Sequence, residues 1–280
     1  MPLTYQKHRF LSEFSTFGIG GAIRDFVEVN TIEEMEEAMK FPGPKLVVGK
    51  GSNCLFHDEG FAGLVILNKI DFCKWEDHEV TVGSGYSFSL LGVQTARRGL
   101  SGLEFASGIP ATVGGAVFMN AGAAGRETAD ALKAVLYLDQ NRREYRREEL
   151  SFGYRKSPFQ EMDGVILGAT FALKPLEGAR DSQLQIISHR MKTQPLKEKS
   201  IGCIFRNPSP LSAGALIERC GLKGVHVGEA KVSEIHANFI VNEASASADD
   251  VKRLIRLVQE RVFEQTGVPL EPEIRMIDAR

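Results

Sequence analysis

The sequence predicts an α+β fold, and three observations lead to that class. Strand-like and helix-like segments are mixed without strict βαβ alternation. Two separate glycine-rich stretches, Val47–Leu55 and Gly108–Gly125, break the pattern where an element would otherwise continue. The clearest amphipathic helix stands near the end of the chain, outside any repeating unit.

The elements follow in order. Asp25–Val29 alternates as a strand. Thr31 caps a helix with Glu34 three residues on, the pattern of a capping box; Ile32, Met35 and Met39 form its apolar face and Pro42 stops it. Lys45–Val48 and Leu64–Leu67 read as strands on either side of the first glycine loop. A second region begins near Asn68, with a strand at Val80–Val82 and a helix over Leu90–Arg98 ended by Gly99. The second glycine stretch reads as a long loop, followed by strands near Ala134–Asp139 and Gly164–Leu173 and a helix over Ser182–Lys192 that stops before Pro195. In the third region Ser212 caps a helix running to Cys220, ended by Gly221, and Asn238–Asn242 is a short strand. Ser247 and Asp250 cap a helix over Val251–Gln265, whose core stripe is Val251, Leu254, Ile255, Val258, Val262 and Phe263.

Bulk properties narrow the function. The chain has 280 residues, 43% hydrophobic and 25% charged, as in an ordinary globular protein with room for two or three domains. A net charge of −2 gives no reason to expect a nucleic-acid partner. The basic run Arg142–Arg147 is followed at once by Glu148 and Glu149, which reads as a solvated hairpin or edge. The start of the sequence has no apolar signal segment, and nothing approaches ~18 consecutive apolar residues, so a cytoplasmic protein without a membrane partner is expected. Cys54, Cys73, Cys203 and Cys220 are widely spaced with no CxxC pair, so neither a disulfide framework nor a metal site is expected.

The glycine stretches carry the functional signal. The first, VVGKGSNCL, follows a buried strand and supplies turn glycines Gly49 and Gly51, the charge of Lys50 and the short polar groups of Ser52 and Asn53. Its spacing fits neither a Walker A sequence nor a dinucleotide fingerprint. The second is rich in glycine and alanine and holds no large charged side chain, so its backbone N–H groups are open to a phosphate or a ring system. A tightly packed turn between strands would have the same composition. Two such loops together point to one long, phosphate-bearing ligand held along its length.

Eight segments then fall in the order seen in one family. These are STFGIGG (15–21), Gly49–Asn53, DEGFAG (58–63), SGIPATVGGAVFMNAG (107–122), FGYRKSPF (152–159), GCIFRNP (202–208), VSEIHANFIVN (232–242) and EPEIR (271–275). The chain resembles the UDP-N-acetylenolpyruvoylglucosamine reductases, also called UDP-N-acetylmuramate dehydrogenases, over nearly its whole length. The segment between Leu150 and Ser200 is short, which resembles the branch without a tyrosine-bearing substrate loop. The resemblance implies a two-part FAD-binding module of the vanillyl-alcohol-oxidase/PCMH-like kind, over residues 1–68 and 69–190. A C-terminal α+β substrate-binding domain over 191–280 follows it. It also implies noncovalent FAD, NADPH as cosubstrate, a UDP-sugar enolpyruvyl ether as substrate, and a monomer. His57, beside the first loop, is the residue through which a covalent flavin link would run instead.

By the same resemblance, the FAD pyrophosphate belongs mainly to Gly49, Lys50, Gly51, Ser52 and Asn53. The flavin ring and ribityl chain belong to Ser107, Gly108, Ile109, Thr112, Gly114, Gly115, Asn120 and Gly122. The implied reaction passes hydride from NADPH to FAD and from flavin N5 to C3 of the enolpyruvyl group, and a proton then reaches C2. Such a site needs a cation, a second partner for the developing enolate and a proton donor. Arg155 matches the family arginine at the substrate carboxylate, and Glu273 the family glutamate that assists the enolate. Cys203 stands where the family usually has the proton-donating serine; a thiol ordinarily ionises near about 8.5, so it is a competent acid. Arg206 and Asn207 replace a lysine–asparagine pair and would meet diphosphate or nicotinamide. His236 and Asn238 lie in a family-like segment in which Ile235 replaces the usual lysine, and Gln194 is a further candidate substrate contact. Two other readings stay open on sequence alone. One is a flavin oxidoreductase for a different small substrate, which would not need Arg155, GCIFRNP and Glu273 together. The other is a flavin-binding redox sensor using Cys203, which would show no substrate-stimulated NADPH oxidation.

Overall fold

The computed structural model describes residues 3–279. They form two compact units. The first comprises Val27–Gly49 and Val65–Arg190, with the N-terminal residues up to Tyr5. The second comprises Gln6–Phe26, Lys50–Leu64 and Met191–Arg280. A four-stranded sheet runs in the order Arg9–Phe10, Ala22–Val29, Phe61–Asn68, Lys45–Val48. The two longer strands begin in the second unit and end in the first.

The first unit is built on a five-stranded sheet in the spatial order Arg142–Arg146, Leu132–Leu138, Val165–Ala172, Glu79–Gly83, Cys73–Glu76. Neighbouring strands in it run antiparallel throughout. The basic run lies on an edge strand, where charged side chains can stay in water and discourage further pairing. Three helices belong here, α1 (Ile32–Met39), α2 (Phe88–Arg97) and α3 (Val113–Phe118), together with most of α4 (Ala179–Thr193), up to Arg190. Phe88 and Leu91 of α2 and Val113, Ala116 and Val117 of α3 share one core with Val80, Val82, Val135, Ile166 and Phe171 of the sheet. Burying each of the valine, leucine, isoleucine and phenylalanine side chains among these contributes about 1.5–3 kcal/mol.

Local capping chemistry holds where the sequence announces it, with one change. Thr31 Oγ1 accepts the Glu34 N–H at 3.1 Å. The Glu34 carboxylate, however, takes the N–H of Asn30 at 2.7 Å rather than that of Thr31, so only half of the expected box forms. α2 starts two residues earlier than its apolar periodicity implies, because Ser87 caps it. α3 lies inside the stretch expected to be a long loop. Glycine and alanine hide its periodicity, and Thr112 marks its start by accepting the Gly115 N–H at 3.3 Å.

The second unit carries a sheet in the order Lys199–Cys203, Phe239–Asn242, Ala230–Val232, His226–Val227, with α5 (Ala213–Arg219) and α6 (Ala248–Thr266). Val251, Leu254, Ile255, Val258 and Val262 of α6 are buried in its core. Phe263 is not: it is 56% exposed, which corrects its place in the expected stripe. At about 100° per residue it lies about 120° around the helix from Val251, off the buried face.

The start of α6 shows what the DEGFAG segment does in this chain. Ser247 and Asp250 form a reciprocal capping box, and Asp58 accepts the N–H groups of Ala248 at 2.7 Å and Asp249 at 3.2 Å. Gly21 and Gly60 let the Asp58 turn meet the STFGIGG segment backbone to backbone. A Cβ on Gly60 would fall 1.8 Å from the Ala22 carbonyl oxygen, and one on Gly21 2.0 Å from that of Asp58. Asp58→Ala leaves two first-turn N–H groups without their acceptor and should cost about 1 kcal/mol. Urea unfolding of the purified protein measures this, and an unchanged midpoint would refute the capping role.

Candidate active site

In the first unit, the site is assembled around the second glycine stretch. Gly153 and Lys156 exchange backbone hydrogen bonds at 3.1 and 2.9 Å, closing a tight turn over Tyr154 and Arg155. Arg155 has φ 56°, in the left-handed region. Its guanidinium lies 4.9 Å from the Tyr154 ring centre, and Nη2 donates to the Gly122 carbonyl at 3.0 Å. Gly122 must lack a side chain here, since a Cβ would fall 2.4 Å from the Arg126 carbonyl oxygen and 3.2 Å from Arg155 Nη1. The residues after the turn anchor α3: Ser157 Oγ and Gln160 Nε2 both donate to the Phe118 carbonyl, at 2.6 and 2.9 Å.

The other residues of this stretch have varied surroundings. Thr112 caps α3, Gly114 donates its N–H to Ser84 at 2.8 Å, and Ile109 donates to Ala106 at 2.9 Å. Gly108 adopts φ 81° and donates its N–H to Ser89 Oγ at 2.7 Å. Ser107 is completely buried, yet its Oγ has no hydrogen-bond partner in the chain. A buried hydroxyl with none is costly unless a bound group supplies one. The unspent Ser107 hydroxyl, beside a glycine-rich backbone, fits the polar edge of a bound group such as a flavin. Asn120 is different: its side chain is spent on Glu127, Gly153 and Ala129.

In the second unit, three segments converge on Cys203. It ends the strand Lys199–Cys203 and pairs with Phe239. Immediately after it, Ile204 donates to the Asn238 carbonyl at 2.8 Å. The Asn238 side chain then takes over the role of a strand. Its Oδ1 accepts the Phe205 N–H at 2.9 Å, and its Nδ2 donates to the Phe205 carbonyl at 2.8 Å. The C-terminal segment lies alongside: Glu273 donates its N–H to the Ile204 carbonyl at 2.7 Å, and Arg206 donates its N–H to Glu271 at 2.9 Å. Asn53 braces that segment, with its carbonyl accepting from Arg275 at 2.9 Å. Cys203, Arg206, Asn238 and Glu273 are therefore neighbours along paired backbone although the sequence separates them widely.

Around this core, Asn207 Oδ1 accepts the Ala213 N–H at 3.0 Å, which ties it to the start of α5. Arg206 Nε and Gln194 Oε1 are buried without a hydrogen-bond partner, so each has unspent polar capacity. Lys50 is exposed, Gly51 is buried, and Ser52 is half-buried. His57 Nδ1 accepts the Glu59 N–H at 3.2 Å. The four cysteines form no disulfide, and no His/Cys/Asp/Glu cluster able to hold a metal is found among the described residues. No helix of the described residues is long and apolar enough to cross a membrane. Sequence reasoning passed over Glu127, whose carboxylate holds Asn120; an acidic residue after a turn carries no local mark of that task.

Comparison with known proteins agrees with the geometry. Residues 24–141 match the FAD-binding domain family, and with the buried polar site of the first unit they define a flavin-dependent oxidoreductase. Residues 194–277 match the C-terminal domain of UDP-N-acetylenolpyruvoylglucosamine reductase. The reductase of that name from Protochlamydia amoebophila is 53% identical, covering 99% of this chain and 95% of that protein. That of Chlamydia muridarum is 47% identical over the same shares. The crystal structure of the Thermus caldophilus enzyme superposes with a TM-score of 0.87 at 40% identity, covering 99% of this chain and all of that one. The chain belongs to the UDP-N-acetylenolpyruvoylglucosamine reductase family.

His236 gives the site a pH signature. Its Nδ1 accepts the Asn238 N–H at 3.2 Å, its ring packs 4.9 Å from that of Phe239, and Gly214 lies beside its Cε1. Burial pushes its pKa below the ordinary 6.5, and the Lys223 charge pushes the same way. As pH falls the unfolded chain therefore takes up this proton first. The contribution is intact above about pH 6.5 and is lost as pH drops from there toward the folded value. NMR should find the His236 midpoint below 6.5, and His236→Gln should flatten the loss of stability between pH 7 and pH 5. A midpoint at or above the ordinary value would contradict the buried, neutral imidazole.

Proposed function

We propose that the chain reduces the enolpyruvyl ether of UDP-N-acetylglucosamine to the lactyl ether of UDP-N-acetylmuramate, with NADPH as reductant, in peptidoglycan precursor synthesis. The observation that carries this reading is the direct pairing of the Cys203–Arg206 segment with Glu271–Glu273. It sets a thiol acid and a carboxyl group on adjoining backbone, the combination that a proton transfer next to a developing enolate requires. When bound, FAD would take hydride from NADPH and supply it to C3 of the enolpyruvyl group.

The chain's own residues then divide the remaining work. Arg155 grips the substrate carboxylate, on which charge builds as C3 receives hydride; a planar guanidinium offers two parallel donors for this. Glu273 shares a proton with the same developing enolate. Cys203 Sγ–H delivers the proton to C2. Arg206, whose Nε has no partner in the chain, is read as the diphosphate contact, with Asn207 beside it and Gln194 and His236 toward the sugar nucleotide. Ser107–Gly115 is read as the seat of the flavin ring and Gly49–Asn53 as that of the pyrophosphate, both noncovalent.

The test separates the two halves of the reaction. Under anaerobic conditions NADPH should bleach the flavin, and UDP-N-acetylglucosamine enolpyruvate should restore the oxidised spectrum with one lactyl product per flavin. Bleaching without recovery would overturn the substrate assignment. Cys203→Ala should bleach normally but reoxidise about 10²–10⁴-fold more slowly, the usual worth of a positioned general acid. Cys203→Ser should regain most of that rate, and full turnover in Cys203→Ala would remove the thiol from the mechanism. Arg155→Ala should slow reoxidation about 10²–10³-fold, as for loss of an oxyanion donor.

A further inference from the structure

Arg155 sits in a closed ring of contacts that the reaction described above does not use. The short hairpin of Gly122–Ala123 and Arg126–Glu127 pairs Gly122 with Glu127. The Glu127 carboxylate accepts from Asn120 Nδ2 at 2.7 Å. The same Nδ2 donates to the Gly153 carbonyl at 2.9 Å, and Asn120 Oδ1 accepts the Ala129 N–H at 3.0 Å. Gly153 opens the turn that carries Arg155, and the Arg155 guanidinium returns to the Gly122 carbonyl at 3.0 Å. The path thus runs from Glu127 through Asn120, Gly153, Arg155 and Gly122 back to Glu127.

Two features make this ring more than ordinary loop packing. Asn120 is completely buried at φ 43°, and Arg155 stands at φ 56°. Left-handed backbone at non-glycine residues is unfavourable and persists only where the surroundings over-determine it, which is common where a functional side chain must be held in place. Glu127 also removes an ambiguity. A carboxylate only accepts, so its contact fixes which end of the Asn120 amide is nitrogen and directs the second N–H to Gly153.

We propose that Glu127 and Asn120 are positioning residues for Arg155: together they hold the Tyr154–Arg155 turn so that the guanidinium meets the substrate carboxylate in one geometry. This rests on the role of Arg155 proposed above. Neither residue needs to touch the substrate; both act through the turn.

The test uses the FAD-loaded enzyme and reads bleaching by NADPH and reoxidation by substrate separately, in Glu127→Ala, Glu127→Gln, Asn120→Ala, Arg155→Ala and the double variants with Arg155→Ala. Glu127→Ala should slow reoxidation about tenfold or more, as expected when a reacting group is misplaced, and leave bleaching unchanged. Glu127→Gln keeps an acceptor and should retain most of the rate. In the Arg155→Ala background, Glu127→Ala and Asn120→Ala should add no further slowing, because residues that act through one group are not additive. Additive losses, or equal slowing of bleaching by Glu127→Ala, would overturn the proposal and leave the role of Arg155 standing. Arg155→Ala without effect on reoxidation would overturn that role and this proposal together. Should Asn120→Ala fail to fold, the Glu127 pair of variants decides the matter alone.

Discussion

The second unit depends on one constraint: the chain after Cys203 leaves its sheet yet must keep its backbone groups paired. Ile204 and Phe205 reach the edge of regular strand geometry, and an unpaired N–H or C=O buried there would be costly. Asn238 resolves this by presenting its side-chain amide where a neighbouring strand would present backbone. The C-terminal segment closes the other side through Glu273 and Glu271. The thiol and the carboxyl group read as catalytic are thus set by hydrogen bonds that also complete the fold. A change at Asn238 would disturb both at once.

The first unit uses the same device. Asn120, like Asn238, is a buried asparagine whose amide serves segments without regular structure. An amide has both donors and an acceptor on a short, stiff side chain, so it can satisfy both backbone senses where no strand reaches. The glycines around it perform a different task, admitting close approach of backbone and of the Arg155 guanidinium. Glycine-rich sequence in this chain is therefore partly scaffold: Gly21 and Gly60 serve backbone packing, and Gly122 serves an arginine.

Much of the secondary structure was legible because its determinants are local. Thr31, Ser212 and Ser247, read as caps from the sequence, each accept an N–H three residues on, inside the same turn. The α6 stripe was readable for the same reason, and Phe263 failed only where helical phase was stretched past the buried face. α3 escaped because glycine and alanine leave no periodic contrast between buried and exposed positions. The strand Lys199–Cys203 also went unread, since Gly202 at φ 82° and a register shift before Cys203 interrupt its alternation.

Fold class, family and the residue types available for chemistry are legible in the chain's order of residues, because motif order and helix caps are written in contiguous positions. Which side chains support which emerges in three dimensions. Asn53 lies 220 positions from the Glu273 carbonyl that its amide approaches, and Asn120 33 positions from the Gly153 carbonyl that it holds. Such bonds depend on where distant backbone comes to rest, and no local period or spacing encodes that position. Glu127 is the sharpest case: in sequence it is an acidic residue after a turn, and in the folded chain its carboxylate accepts from the Asn120 amide that also holds Gly153, where the Arg155 turn begins.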